Sequence, residues 1–263
     1  DRLPSDVTVN PLQVEVACTN FFNLLDPEHC ARAFIVVNQN NIASRCLIER
    51  IEGLRTIDQV LLTEELPVTT PQLIEMGITP VFIYNFLLQN NDFRTGNIGL
   101  TPDNKLIAFD FDQALWSYPT CALYDAAYDT RHKKWNADLF PLSLRDIQNF
   151  PAIQDARPNQ WPSRDVENPN SNYLNERAQK LADSLSALKD NAHFVEEKYY
   201  CFFRFSLLFQ CPSIISRELE KSIHPDCNTF KIILASLQSR AKQLQWLLLS
   251  DPQFEPYLEK TTD

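Results

Sequence analysis

The sequence predicts an α+β chain, mostly helical, with small hairpins set among the helices, and three observations carry that reading. Apolar residues recur at helical spacing over 11–25, 174–188, 194–209 and 230–249. Pairs of β-rich runs, 33–37 with 42–48 and 97–100 with 105–109, each flank a polar turn. The 263 residues are 44% hydrophobic and 22% charged, ordinary globular usage that excludes a wholly disordered chain, a collagen-like rod and a coiled coil.

Each element has a local cause. Asn10-Pro11 is a helix start, with Asn as cap and Pro in the first turn. Val14, Ala17, Phe21, Leu24 and Leu25 then form the apolar face of a helix over 11–25. Asn38-Gln39-Asn40-Asn41 separates the first two strand-like runs and predicts a hairpin. A short helix is expected over Thr56–Leu62. Thr79-Pro80 opens another, apolar nearly all round through Val81, Phe82, Ile83, Phe86, Leu87 and Leu88, which is the signature of a buried helix. Gln89-Asn90-Asn91-Asp92 ends it and begins a polar loop. Thr101-Pro102-Asp103-Asn104 turns the second hairpin, whose far strand delivers Asp110-Phe111-Asp112. Residues 135–172 carry Pro141, Pro151, Pro158, Pro162 and Pro169 with Trp135 and Trp161, and read as a long irregular connection with its own anchors. Three helices are expected beyond it. Their aromatic stripe, Phe194, Tyr199, Phe202, Phe203, Phe205 and Phe209, reads as core and not as a stacking platform for bases.

Composition closes off several functions. With 24 Lys plus Arg against 34 Asp plus Glu, the net charge of −10 argues against a broad electrostatic grip on nucleic acid or an anionic membrane. No apolar run reaches the length of a transmembrane helix. The seven cysteines make no Cys-x-x-Cys pair and read as reduced thiols, and the histidines at 29, 132, 193 and 224 lack zinc-ligand spacing. The only glycines, 53, 77, 96 and 99, allow neither a Gly-x-Gly-x-x-Gly nor a Walker-type phosphate loop within these residues. The chain starts at Asp1 with no signal-peptide pattern, which reads as an excerpt or a trimmed start.

The sharpest constellation is Asp92-Phe93-Arg94-Thr95-Gly96-Asn97, with Asp110-Phe111-Asp112 thirteen residues beyond Asn97. Phosphoryl transfer from ATP needs a carboxylate to orient the attacking hydroxyl and oxygen ligands for the magnesium that bridges the phosphates. Asp92, Asn97 and Asp110 are of those types, and a short loop followed by a hairpin can bring them to one edge. Asp110 and Asp112, two apart in a strand-like stretch, would point the same way and repel unless a cation sits between them. Asp and Asn are also ordinary turn residues, so spacing alone is weak.

Here the sequence resembles the protein kinase-like superfamily. The pattern His-Arg-Asp-x-x-x-x-Asn followed by Asp-Phe-Gly stands here as Asn90-Asn91-Asp92-x-x-x-x-Asn97 and Asp110-Phe111-Asp112, with the His, the Arg and the Gly replaced. The wider run resembles the kinase-like effectors secreted by Legionella and its relatives, including those acting on phosphoinositides. It does so through Ile42-Ala-Ser-Arg, Ile51-Glu-Gly-Leu-Arg-Thr-Ile57, Leu66-Pro-Val-Thr-Thr, Met76-Gly-Ile, Leu87-Leu-Gln-Asn-Asn-Asp92, Gly96-Asn-Ile-Gly99, Leu144-Arg-Asp-Ile-Gln-Asn-Phe-Pro151 and Trp161-Pro162. It covers about residues 10–165.

The resemblance implies a kinase-like fold with residues 1–52 as the remnant of a small lobe and 53–263 as a helical large lobe with an insertion at 135–172. It implies Asp92 as catalytic base and Arg94 in the place of a phosphate-facing Lys. Asn97, Asp110 and Asp112 become metal ligands, and Glu15 with the hinge Glu49-Arg50-Ile51 becomes the ATP-binding set. Glu15 would read equally as a solvated helix carboxylate. The implied cofactors are ATP and Mg2+ or Mn2+, the acceptor a host lipid headgroup or host protein, and the location the host cytoplasm after bacterial secretion. Three strands bearing a glycine-rich loop and a Lys do not fit in the ten residues before the first helix, so a non-catalytic pseudokinase scaffold for a host protein fits as well. Transfer of AMP is a third possibility, since metal carboxylates do not specify which phosphate is attacked.

Overall fold

The computed structural model describes residues 11–39, 43–63, 69–88, 90, 93–112, 114–115, 143–150 and 171–258. Asp92, Asn40, Asn41, Ile42, Cys121, His132, Trp135 and Trp161 lie outside these residues. The described chain is α+β, with helices predominating over two small sheets.

Helix α1 (Pro11–Leu25) forms where expected and buries Val14, Ala17, Cys18, Phe21, Phe22 and Leu25 along one stripe. Strands β1 (Ala33–Val37) and β2 (Ala43–Ile48) pair antiparallel with Phe34 opposite Leu47, and the hairpin packs on α1. A second sheet runs in the order β3 (Arg55–Thr56), β4 (Ile98–Leu100), β5 (Leu106–Ala108), antiparallel throughout. Between β3 and β4 come α2 (Ile57–Thr63), α3 (Thr70–Glu75) and α4 (Ile78–Leu87). All of α4 except Phe82 is buried, as an all-apolar helix requires. Gly77 caps it at φ +87°, and a Cβ there would lie 2.0 Å from the His29 ring, so only glycine fits.

Beyond the second sheet stand α5 (Leu144–Asn149), α6 (Ser171–Ser186), α7 (Ala192–Leu208), α8 (Pro212–Glu220), α9 (Asn228–Leu249) and α10 (Glu255–Leu258). Three of these correct the sequence reading. Within 135–172, expected to be irregular, α5 is a helix whose Ile147 and the following Phe150 are buried, Phe150 against Phe86 and Phe202 at ring distances of 5.2 and 5.8 Å. Proline density hid a single amphipathic turn that tertiary packing holds. Helix α8 was not expected, because nine residues with Ile215 and Leu219 inward give too little periodicity. The four residues of α10 are shorter still.

One hydrophobic core runs from Val14 to Phe254 and includes α1, α4, both sides of the second hairpin and the C-terminal helices. The aromatic stripe of α7 is part of it: Phe194, Tyr199, Phe202 and Phe205 are fully buried, and Phe209 stacks on Phe205 at 4.3 Å. The six cysteines among the described residues carry free thiols. No helix of the described residues is long and apolar enough to cross a membrane.

Candidate functional site

The second hairpin forms as expected and sets Asn97 near Asp110, while Asp92, the third member of the expected set, lies outside the described residues. The Phe109 N–H donates to the Asn97 carbonyl at 3.2 Å, so the ladder begun by Ile98 opposite Ala108 continues one step outward and leaves Asn97 beside the entrance to Asp110. Asn97 is buried at the end of a 3₁₀ turn, Thr95–Asn97, whose closing bond runs from the Asn97 N–H to the Arg94 carbonyl at 2.9 Å. Arg94, half-buried, stands just before the turn.

Asp110 differs from its expected geometry. The strand ends at Ala108, and Asp110 adopts φ +66°, a left-handed conformation that disfavours a non-glycine residue. Strand alternation therefore does not govern where Asp110 and Asp112 point. Their charges nonetheless act on a common neighbour. Phe111 is fully buried against Phe22 of α1 at 5.8 Å, and Phe22 meets Tyr84 of α4 at 5.3 Å. That wedge pulls the 110–112 segment onto α1.

Glu15 meets it there. The Glu15 side chain is 4% exposed and accepts backbone N–H bonds from Phe111 and Asp110. It is no solvated carboxylate. Burial pushes its carboxyl up to about 8, the neighbouring Asp110 and Asp112 charges push the same way, and the two backbone donors only partly oppose them. Its Oε2 is buried with no hydrogen-bond partner among the described residues. With its carboxyl at about 8, Glu15 holds its proton at neutral pH, which relieves the repulsion from Asp110 and Asp112.

The loop between α4 and the 3₁₀ turn is tied at both ends. Asn85, buried inside α4, accepts at Oδ1 from Asn90 Nδ2 at 2.9 Å, and the same Asn90 amide donates to the Asp110 carbonyl at 3.2 Å. The Leu115 N–H donates to the Leu88 carbonyl at 2.8 Å. Phe93, next to Asp92, packs edge-on against Phe82 of α4 at 5.3 Å. On the other side, the buried Thr95 hydroxyl donates to Asp58 Oδ1 of α2. The sequence reading gave Asn85 no role, and it used Asn90 only to end the helix and in the place of the pattern's His. The signal for Asn85 was available, since an Asn inside an otherwise apolar helix is costly unless it is hydrogen-bonded.

The expected hinge carries main-chain bonds of its own. The Glu49 N–H donates to the Arg32 carbonyl at 2.7 Å, so its amide belongs to the first hairpin. Glu49 and Arg50 are exposed, and half-buried Ile51 accepts at its carbonyl from the Leu54 N–H at 3.3 Å. Among the described residues no three of His, Cys, Asp and Glu are arranged as a metal cage. No protein-family model matches the chain, and no curated protein matches it.

Proposed function

We propose that the chain is a kinase-like phosphotransferase that moves the γ-phosphate of ATP to a hydroxyl, with a host phosphoinositide or a host protein as acceptor. The observation that carries this reading is the burial of Glu15 against Asp110-Phe111-Asp112, with Asn97 one ladder step away. Burial of Glu15 beside two further acids is offset by the proton its raised carboxyl holds or by a cation, and we take the cation that Mg·ATP would bring.

The donor set suits Mg2+ or Mn2+. Asn97, Asp110 and Asp112 are all hard oxygen ligands, and magnesium takes one or two carboxylates with water and phosphate oxygens in place of an all-protein cage. When bound, the ion neutralises charge on the phosphates. The left-handed turn at Asp110, held by Asn90 at its carbonyl and by Glu15 at its N–H, keeps the Asp110 carboxylate at the end of the hairpin. In the transfer, Asp92 orients the acceptor hydroxyl and takes its proton, the hydroxyl oxygen bonds to the γ-phosphorus, and the bond to the β,γ-bridging oxygen breaks to release ADP. Arg94 faces the transferring phosphate. Adenine binding falls to the main chain around Glu49-Arg50-Ile51, using groups other than the Glu49 N–H.

The test is radiolabelled ATP and Mg2+ offered in parallel to host-cell lysate and to phosphoinositide-containing vesicles. Label on a lipid or on a protein supports transfer and names the acceptor class. Binding of Mg·ATP with no consumption moves the reading to the pseudokinase scaffold, and label retained as AMP on the product moves it to nucleotidyl transfer.

A further inference from the structure

We propose that Asp58 is a positioning residue for the candidate site, fixing the Arg94–Asn97 turn against α2. The inference rests on reading that turn as one edge of the nucleotide site. Thr95 is fully buried in the turn, and a buried hydroxyl must find a partner; it donates to Asp58 Oδ1, a hydrogen bond to a carboxylate and hence among the stronger kind. The other carboxylate oxygen sits over the turn's backbone. A Cβ on Gly96 would fall 3.1 Å from Asp58 Oδ2 and 3.7 Å from Arg94 Nη1, so the carboxylate and the guanidinium converge where glycine leaves room.

Asp58 itself has a firm mount. It occupies the first turn of α2, where the Thr56 N–H donates to Gln59 Oε1 at 2.9 Å and the Gln59 N–H donates to Thr56 Oγ1 at 3.2 Å, a reciprocal cap that fixes the helix start. Thr56 pairs with Gly99 in the sheet, and Arg177 of α6 donates to the Leu61 carbonyl at 2.8 Å. The turn itself is short, closed by the bond from the Asn97 N–H to the Arg94 carbonyl. Its register therefore depends on what grips Thr95 and Gly96, and a displacement of about 1 Å there is enough to misalign a ligand such as Asn97.

The variants are D58A, D58N, T95V and T95S in the full chain, with wild type beside them. Hydrogen exchange needs no nucleotide. D58A and T95V should speed exchange of the Asn97 and Phe109 amides about tenfold, the effect of losing roughly one hydrogen bond, and leave the Leu106 amide unchanged. D58N, which keeps the acceptor, and T95S, which keeps the hydroxyl, should restore protection. In Mg2+ titrations of ATP binding, D58A and T95V should raise the half-saturating Mg2+ about tenfold while T95S stays at the wild-type value. Wild-type exchange at Asn97 in D58A overturns the inference, and so does a rise at all amides alike that T95S fails to reverse. A wild-type chain that binds no Mg·ATP defeats the functional reading, and the exchange result then decides the role of Asp58 by itself.

Discussion

Glu15 is the residue on which a sequence and a structure say different amounts. In the sequence it is one carboxylate among many on an amphipathic helix; in the fold it is buried against two further acids. Its folded value near 8 lies above its ordinary 4.5, so the folded chain holds a proton that the unfolded chain has lost between those two values. Stability from this group is full below about 4.5, falls as pH rises to about 8 and is level above that, at a slope of at most about 1.4 kcal/mol per pH unit. Urea unfolding in metal-free buffer at pH 5, 6.5 and 8 should show the fall in wild type and flatten in Glu15→Gln; an equal slope in both contradicts the assignment. Asn97→Ala should weaken Mg2+-dependent ATP binding about tenfold, read by Mg2+ titration, since it removes one proposed oxygen ligand. Asp92→Ala should lower turnover far more than it weakens ATP binding, because an orienting base acts in the transition state. Equal loss of both would count against it.

At the scale of elements, the second hairpin was legible because turn chemistry and strand pattern are local, and its pairing brings Asn97 and Asp110 to one end. The left-handed backbone of Asp110 was not legible. It follows from the Phe111 wedge against α1 and the Asn90 clamp, contacts between residues far apart in the chain. Helix α1 and the buried α4 declared themselves by apolar spacing, while α5 and α8 were too short to do so and stand by packing alone. Asn90 links α4 to the acidic segment, so Asn90→Leu strips the Asp110 carbonyl and Asn85 of their shared donor. The expected loss is about 1–3 kcal/mol in urea unfolding. A variant as stable as wild type would show that the clamp does not hold the segment.

For the whole molecule, the C-terminal helices are tied together by a buried polar group that composition could not reveal. Lys198 of α7 is 1% exposed and donates to the Gln148 carbonyl of α5 at 3.0 Å; Asp251 accepts from the Tyr199 hydroxyl at 2.7 Å and from Gln148 Nε2 at 3.0 Å. Burial lowers the Lys198 ammonium from 10.5 to about 8, with Asp251 opposing. The unfolded chain therefore binds the extra proton between those values, and stability should rise from pH 8 towards 10.5, a rise that Lys198→Met abolishes in urea unfolding. Spacing nominated the candidate acids, and the helical class of the molecule was readable from periodicity. How α1 carries Glu15 to Asp110 was not, because nothing local in either segment encodes their meeting. The most direct measurement is calorimetric titration of Mg·ATP into wild type and Asp110→Ala. Saturable, Mg2+-dependent binding in wild type that Asp110→Ala abolishes is the predicted result, and wild type that binds no nucleotide, or a variant that binds as well, contradicts it.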